Sequence, residues 1–422
     1  MTRLRTVRGT LLCPSRERGR FELIGDGVLE LDAAGAIRSI GSAPTGCTVA
    51  TTRPGCVWLP GFVDTHVHFP QTRAIGRSSG ALLDWLEQTI FAEEAKFADP
   101  HYAAIVAREF CQAMIDQGTT CASIYGSSHH AATEVLFREL DRSGLRAQAG
   151  TTLMDRGAPA ELCVAASDAL PACDELAARW DGHDGGRLRY CVTPRFALSC
   201  SAELMNGAAE LAQRRGLPIQ THLAEHPDEV AAVARAFPES ATYLETYAAH
   251  GLCTERTLYG HALWLAPSEW RLLAERNAAI SHCPDSNFFL GSGVFRLREA
   301  TERRIRVGLG SDVGAGRTFS MRRVASAAYD ASLLNGVKVS SAELLWLATT
   351  GGAEALGLAA RVGRLESGFD ADLVAIECGV ADRAGSTLDE LLDALLFCAE
   401  GNPIRGTYVR GRQLARTGAV SP

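Results

Sequence analysis

The sequence predicts an α/β fold, a (β/α)8 TIM-like barrel carrying a small β-sandwich unit built from both chain ends. Three observations lead there. From about residue 59 to 358, short apolar runs alternate with longer amphipathic segments, the pattern of repeated βα units. Eight strand candidates end near His66, Ile124, Thr151, Arg195, His222, His261, His282 and Asp312, matching the strand number of a closed parallel barrel. The flanking segments 1–58 and 359–422 read mainly as short strands, so they are assigned to one sheet unit in which the two ends meet.

In chain order, residues 21–24, 28–31 and 37–40 are strand-like and separated by Gly, Asp and Pro turn signals. Inside the barrel region, Leu204, Ala208, Leu211 and Ala212 fall on one helical face. Ser340 followed by Glu343 gives a capping-box signal ahead of the apolar run 344–347. Past residue 360, strand patterning returns at 363–365, 371–376 and 407–409.

A chain of 422 residues that is 46% hydrophobic and 22% charged buries a large core and has no need of disorder. A net charge of −7 leaves no broad basic surface, which argues against nucleic acid as partner. No apolar run approaches the roughly 18 residues needed to cross a bilayer, and the stretch after Met1 lacks a secretory apolar core. The 13 cysteines contain no Cys-x-x-Cys pair, which excludes zinc ribbons and thioredoxin-type motifs and leaves reduced thiols as the default. A cytoplasmic protein without a membrane partner is expected.

His66 and His68 close the apolar strand that begins near Pro60. Alternate residues of a strand share a face, so both imidazoles can address one ion. The pair is weak evidence by itself, because two unrelated polar histidines would look the same. His222, His261 and Asp312, however, each terminate a further strand candidate, at the rim where barrel enzymes build their sites. Glu225 stands three residues past His222, suited to proton transfer, although a helix start stabilised by the dipole would also place a glutamate there. A satisfied core histidine is the lesser alternative for His261.

At this point a resemblance can be stated. The runs Pro60-Gly61-Phe62-Val63-Asp64-Thr65-His66-Val67-His68, Thr221-His222-Leu223-Ala224-Glu225, His282-Cys283-Pro284-Asp285-Ser286-Asn287 and Gly310-Ser311-Asp312 resemble the aminohydrolase branch of the amidohydrolase superfamily. More narrowly, the chain is similar to guanine deaminases through His68-Phe69-Pro70-Gln71, Leu82-Leu83-Asp84-Trp85-Leu86, Val192-Thr193-Pro194-Arg195-Phe196-Ala197-Leu198-Ser199-Cys200 and the glycine-rich run 308–316. The resemblance runs nearly end to end.

It implies one Zn2+ per subunit on His66, His68, His222 and Asp312, a donor set that suits this borderline ion. Superfamily members with two metals bridge them with a lysine at the end of strand 4. Here that strand ends in Arg195, and the only lysines, Lys96 and Lys338, fall elsewhere. The resemblance further implies Glu225 as proton shuttle, Asp312 as acceptor of the water proton, and His261 as partner of the attacking oxygen. Gln71, Arg195 and Phe196 would form the substrate pocket, with Arg195 donating to a purine carbonyl and Gln71 meeting an amide edge; Glu225 and His261 would also touch substrate.

The implied reaction is guanine to xanthine and ammonia, in a homodimer. Another aminohydrolase, acting on a related amino-purine, pterin or triazine, shares the same core. A silent scaffold is disfavoured by the intact donor set. His282 is read as structural, His129-His130 as a solvated helix start, and His226 as a bystander. The run 87–94 departs from the family pattern at Thr89, Ile90 and Ala92, marking an altered loop in the first βα connection near the expected active-site face, where a change could move the substrate to a related amino-purine or pterin.

Overall fold

The computed structural model describes residues 3–78, 80–381 and 385–415. Met1 and Thr2, and residues 382–384 and 416–422 of the expected C-terminal segment, lie outside the described residues.

Four strands precede the barrel: β1 (Thr6–Pro14), β2 (Phe21–Leu31), β3 (Ile37–Ser42) and β4 (Cys56–Pro60). The next four are β5 (Phe62–His68), β6 (Thr119–Tyr125), β7 (Arg146–Gly150) and β8 (Thr152–Leu153). Then come β9 (Leu188–Tyr190), β10 (Thr193–Pro194), β11 (Ile219–Leu223) and β12 (Thr257–His261). The series ends with β13 (Ala279–His282), β14 (Arg306–Leu309), β15 (Leu373–Glu377), β16 (Ile404–Val409) and β17 (Arg412–Gln413).

Two four-stranded parallel sheets, β5-β6-β7-β9 and β11-β12-β13-β14, form the barrel wall, while the short pair β8 and β10 extends it near the rim. One seam is closed by Val192, whose N–H donates to Pro218 O at 2.9 Å and whose carbonyl accepts from Gln220 N at 3.0 Å. At the other seam, Asp312 N donates to His66 O at 2.7 Å and His68 N to Val313 O at 3.0 Å. The ring is therefore complete, and the eight expected strands occupy it. Its strands are buried on both faces, which is why β5 and β6 are buried at every position, polar residues included.

The outer helices bury single stripes. The helix Ala202–Arg215 starts on Ser201, whose hydroxyl accepts from Leu204 N, and stops at Gly216 with φ 68°. It buries Leu204, Ala208, Leu211 and Ala212, as the spacing predicts. Ser340 caps Ser341–Trp346, but Glu343 pairs with Arg18 at 2.7 Å.

Both chain ends enter one sheet of order β17-β16-β15-β4-β1-β2-β3, so the expected sandwich unit is hydrogen-bonded as a single continuous sheet. Three local expectations change. The runs 21–24 and 28–31 are one strand, because β1 pairs antiparallel along both, from Thr6 with Glu30 to Pro14 with Phe21. Gly27 is a close-approach residue there, since a Cβ would meet Leu11 Cδ1 at 2.6 Å. Residues 363–365 form no strand, and β4 crosses the expected boundary at residue 58. The C-terminal segment also contains an unanticipated helix, Leu388–Phe397, capped by Thr387 and burying Leu391, Leu392, Leu395 and Leu396. Arg146, 1% exposed at the start of β7, ties barrel to sheet through Asp372 at 2.7 Å and Asp370 at 2.6 Å.

Candidate active site

His66 and His68 occupy alternate positions at the end of β5, and their Nε2 atoms lie 3.1 Å apart. His222 near the end of β11 brings its Nε2 to 3.2 Å from that of His68. Asp312, three residues past β14, places Oδ1 3.3 Å from His66 Nε2 and 3.2 Å from His68 Nε2. The candidate ligand atoms of these four residues all fall within 4.8 Å of one another. The backbone is bent to achieve this: Asp312, His261 and Ala224 take φ of 49°, 66° and 48°, a region that side-chain-bearing residues enter at a cost of order 1 kcal/mol or more.

The donor set fits a cation. His222 commits its Nδ1 proton to Arg195 O at 2.6 Å, so its Nε2 offers only a lone pair, and Asp312 adds an acceptor oxygen. What these facing groups lack is an electron-pair acceptor between them. Burial pulls the His68 imidazole down to about 4 and that of His222 well below its usual range, so both are neutral ligands at physiological pH. Burial opposes ionisation of Asp312, yet the electrostatic influence of His66 and His261 and the hydrogen bonds of His66 and His68 outweigh it and hold its carboxyl well below the carboxylate range.

Beside this cluster stand Glu225 and His261. Burial, reinforced by the charges of Asp312 and Glu229, pushes the Glu225 carboxyl well above its usual range, as a proton carrier at neutral pH requires. Ser292 Oγ donates to Glu225 Oε1 at 3.5 Å. His261 is fully buried and turns Nε2 toward Glu225 Oε2 at 3.4 Å and Asp312 Oδ2 at 3.6 Å. That nitrogen has no hydrogen-bond partner within the described residues, while Nδ1 is held by Asn287 Oδ1 at 2.9 Å.

A small cavity opens over these groups and is lined by His68, His222, Glu225 and Asp312 together with Gln71, Arg195 and Phe196. Leu82, Trp85, Leu86 and Leu290 supply apolar walls, giving a small, largely apolar pocket with a few converging polar groups. The run expected as an altered loop is helical, through Leu82–Trp85, a π turn over Leu86–Ile90, and Phe91–Glu94. Thr89, Ile90 and Ala92 are not among the cavity-lining residues; Ile90 is buried in the apolar cluster behind Trp85 and Phe196. None of the three residues that depart from the family pattern contributes to the cavity lining.

Eight of the nine sequence-predicted site residues line this cavity or belong to the four-donor cluster, and the ninth, His261, stands against Glu225 and Asp312. His282 packs on Phe295, ring centroids 4.8 Å apart, and His226 caps the helix Pro227–Ala236. His129 and His130 do begin a helix but are half-buried, with His129 Nε2 and His130 Nδ1 unpartnered within the described residues, so the solvated reading is corrected.

Four contributors were missed. Glu94 bonds both Gln71 and Arg195. Asp64 accepts from His66 N at 3.2 Å and Ser311 N at 2.9 Å, and burial pushes its carboxyl up to about 7. Glu229 accepts from Glu225 N at 2.7 Å, and Asn287 orients His261. A lone acid inside the apolar run of β5 was a signal for Asp64, and a glutamate at the third position of a helix was one for Glu229. Neither signal names a partner.

A parallel barrel with a three-histidine, one-aspartate cluster and an acid–base pair at its C-terminal rim defines a metal-dependent hydrolase. Residues 57–414 match the model of the amidohydrolase family, and the chain belongs to that family. Among curated relatives, guanine deaminase of Escherichia coli is 36% identical over 366 residues, covering 85% of this chain and 83% of that one. A probable guanine deaminase of Deinococcus radiodurans is 35% identical over 437 residues, covering 97% and 98%. The crystal structure of guanine deaminase from C. acetobutylicum with bound guanine in the active site superposes with a TM-score of 0.91 at 30% identity, covering 97% and 100% of the two chains.

Proposed function

We propose that this chain is a hydrolytic guanine deaminase, converting guanine and water to xanthine and ammonia with one zinc ion per subunit on His66, His68, His222 and Asp312. The observation that carries the reading is the sharing of one small cavity by the four-donor cluster, the raised carboxyl of Glu225, and the pair Gln71 and Arg195. The substrate of the relatives supports guanine.

Zinc held by these ligands supplies the Lewis acidity that makes water a nucleophile at neutral pH. Glu225 delivers its proton to the ring nitrogen beside C2, so that C2 becomes electrophilic. One water proton passes to Asp312 as the C2–O bond forms. His261 receives a hydrogen bond from the attacking oxygen at Nε2, because Asn287 fixes the other nitrogen as the donor. Glu225 then takes the remaining hydroxyl proton, C2 becomes a carbonyl, and the amino group leaves as ammonia with the proton held by Asp312. Arg195 offers donors to the purine carbonyl, which rejects a 6-amino ring because that ring would leave the buried fork poorly paired. Gln71 meets the amide edge, and Phe196, 6% exposed, closes the wall.

Among the described residues no helix is long and apolar enough to cross a membrane, and the cysteines are thiols not joined in disulfides. Thiols of this kind support a reducing, cytoplasmic setting. The family resemblance supports a homodimer, which sedimentation would test.

Ammonia release is to be followed with guanine, 8-oxoguanine, isoxanthopterin and adenine, with zinc quantified in the same preparation. Guanine is expected to turn over fastest, and a markedly better alternative would overturn the assignment. Glu225→Gln is expected to keep zinc and lose about 100- to 10,000-fold in rate, the usual contribution of a positioned acid–base group. Full ammonia release by that variant would remove the shuttle role.

A further inference from the structure

Glu94 is nearly sealed from solvent, 5% exposed, and is absent from the cavity lining. It nevertheless touches both polar residues of the substrate wall. Its Oε1 accepts from Gln71 Nε2 at 3.0 Å, and its Oε2 accepts from an Arg195 terminal nitrogen at 2.5 Å. The two carboxylate oxygens thus hold one donor from each neighbour.

The consequence for Gln71 is directional. With Nε2 spent on Glu94, Oε1 is turned to Gly314 N, which donates to it at 3.2 Å. An acceptor on one side and a donor on the other leave a single orientation of the amide. For Arg195, the carboxylate takes one corner of the guanidinium and the Phe91 ring lies 5.6 Å from its carbon, so the fork is clamped at an edge and a face. Both arginine and glutamate are almost wholly buried, and the pair cancels in net charge.

We propose that Glu94 is a positioning residue for substrate selection: it orders Gln71 and Arg195 so that their free hydrogen-bonding atoms read the carbonyl-bearing edge of a neutral purine. This rests on the functional reading above, in which Arg195 addresses the purine carbonyl. Glu94 itself touches no substrate.

The experiment compares the zinc-loaded full chain with Glu94→Gln and Glu94→Ala. Steady-state rates are taken with guanine, and competitive inhibition is measured with hypoxanthine and purine, which share the ring system but differ at the C6 carbonyl. Zinc content and melting temperature are recorded for each protein. In Glu94→Gln one of the two bonds faces a donor instead of an acceptor; in Glu94→Ala both are lost.

Loss of a buried charge-assisted contact is expected to raise KM for guanine and the inhibition constant of hypoxanthine by about tenfold or more, with kcat changed much less. Binding of purine, which has no carbonyl to read, should change by less than about threefold, so discrimination between the two inhibitors collapses. Equal weakening of hypoxanthine and purine in both variants, or a fall in kcat with unchanged KM, would overturn the proposal and make Glu94 a general structural support. A wild-type protein that releases no ammonia from guanine overturns the functional reading instead, a result distinct from either variant outcome.

Discussion

Asn287 Oδ1 lies 2.9 Å from His261 Nδ1, and this one bond decides which face of the imidazole the reaction meets. With Nδ1 donating, Nε2 presents its lone pair between Glu225 and Asp312. Asn287→Ala is expected to lower kcat by about tenfold to a hundredfold with zinc content unchanged, since a mis-set tautomer spoils a positioned group without removing it. Asn287→Asp keeps an acceptor against Nδ1 and is expected to retain more of kcat than Asn287→Ala. Equal losses in the two variants, or a kcat for Asn287→Ala within about twofold of wild type, would remove the positioning role of this bond.

Metal binding should be strongly pH-dependent. Burial holds the His68 imidazole down to about 4, so competition from protons at that ligand begins only below about pH 5 in the folded chain. Chelation at neutral pH is expected to abolish ammonia release and lower the melting temperature; metal present at 100 times its dissociation constant adds about 2.7 kcal/mol. His222→Ala should bind zinc substoichiometrically. Full occupancy by elemental analysis would take His222 out of the ligand set.

His282 makes a separate prediction about acid stability. Burial pulls its imidazole down to about 3, helped by the neighbouring His261, whereas an unfolded histidine titrates near 6.5. Between about pH 6.5 and 3 the unfolded chain binds a proton that the folded one refuses. Stability is therefore fully present above that window and is lost as pH falls through it, by up to about 1.4 kcal/mol per unit from this group. Melting curves of His282→Asn across pH 7 to 4 should show a shallower decline than wild type. Parallel declines would sink the assignment.

Arg146 tests the union of barrel and sheet. Replacing it with methionine leaves the Asp372 carboxylate beside an apolar side chain with Arg410 N as a remaining donor, while Asp370 keeps Arg361 at 2.9 Å. A loss of about 3–5 kcal/mol in denaturant unfolding is expected, the usual effect of removing one partner from a buried ionic cluster. Adding Asp372→Asn should recover part of it. A single variant within about 0.5 kcal/mol of wild type would show that the cluster contributes little to joining the two parts.

Much of the site was legible before any fold was known. Strand alternation puts His66 and His68 on one face, and a strand end in a barrel is a rim position, so His222, His261 and Asp312 were marked by location as well as by type. The alternation of apolar runs and amphipathic helices likewise predicted the ring. The helical run 87–94 was misread as a loop because its altered residues carry no capping or turn signal, and the apolar cluster behind Trp85 and Phe196 stabilises it from a distance. The runs 21–24 and 28–31 were split because Gly and Asp look like a turn until β1 is laid alongside.

Along the chain, periodicity and strand ends marked the barrel and placed His66, His68, His222, His261 and Asp312 at its rim, while the family resemblance supplied the roles proposed for the four donors and for Glu225. Tertiary structure alone decided how they are held. Asp312 reaches His66 only when the ring closes, through a 2.7 Å backbone bond between residues from its first and last strands. Glu94 meets Gln71 across 23 positions and Arg195 across 101. Such contacts depend on loop closure and packing in three dimensions, and no periodicity along the chain encodes them.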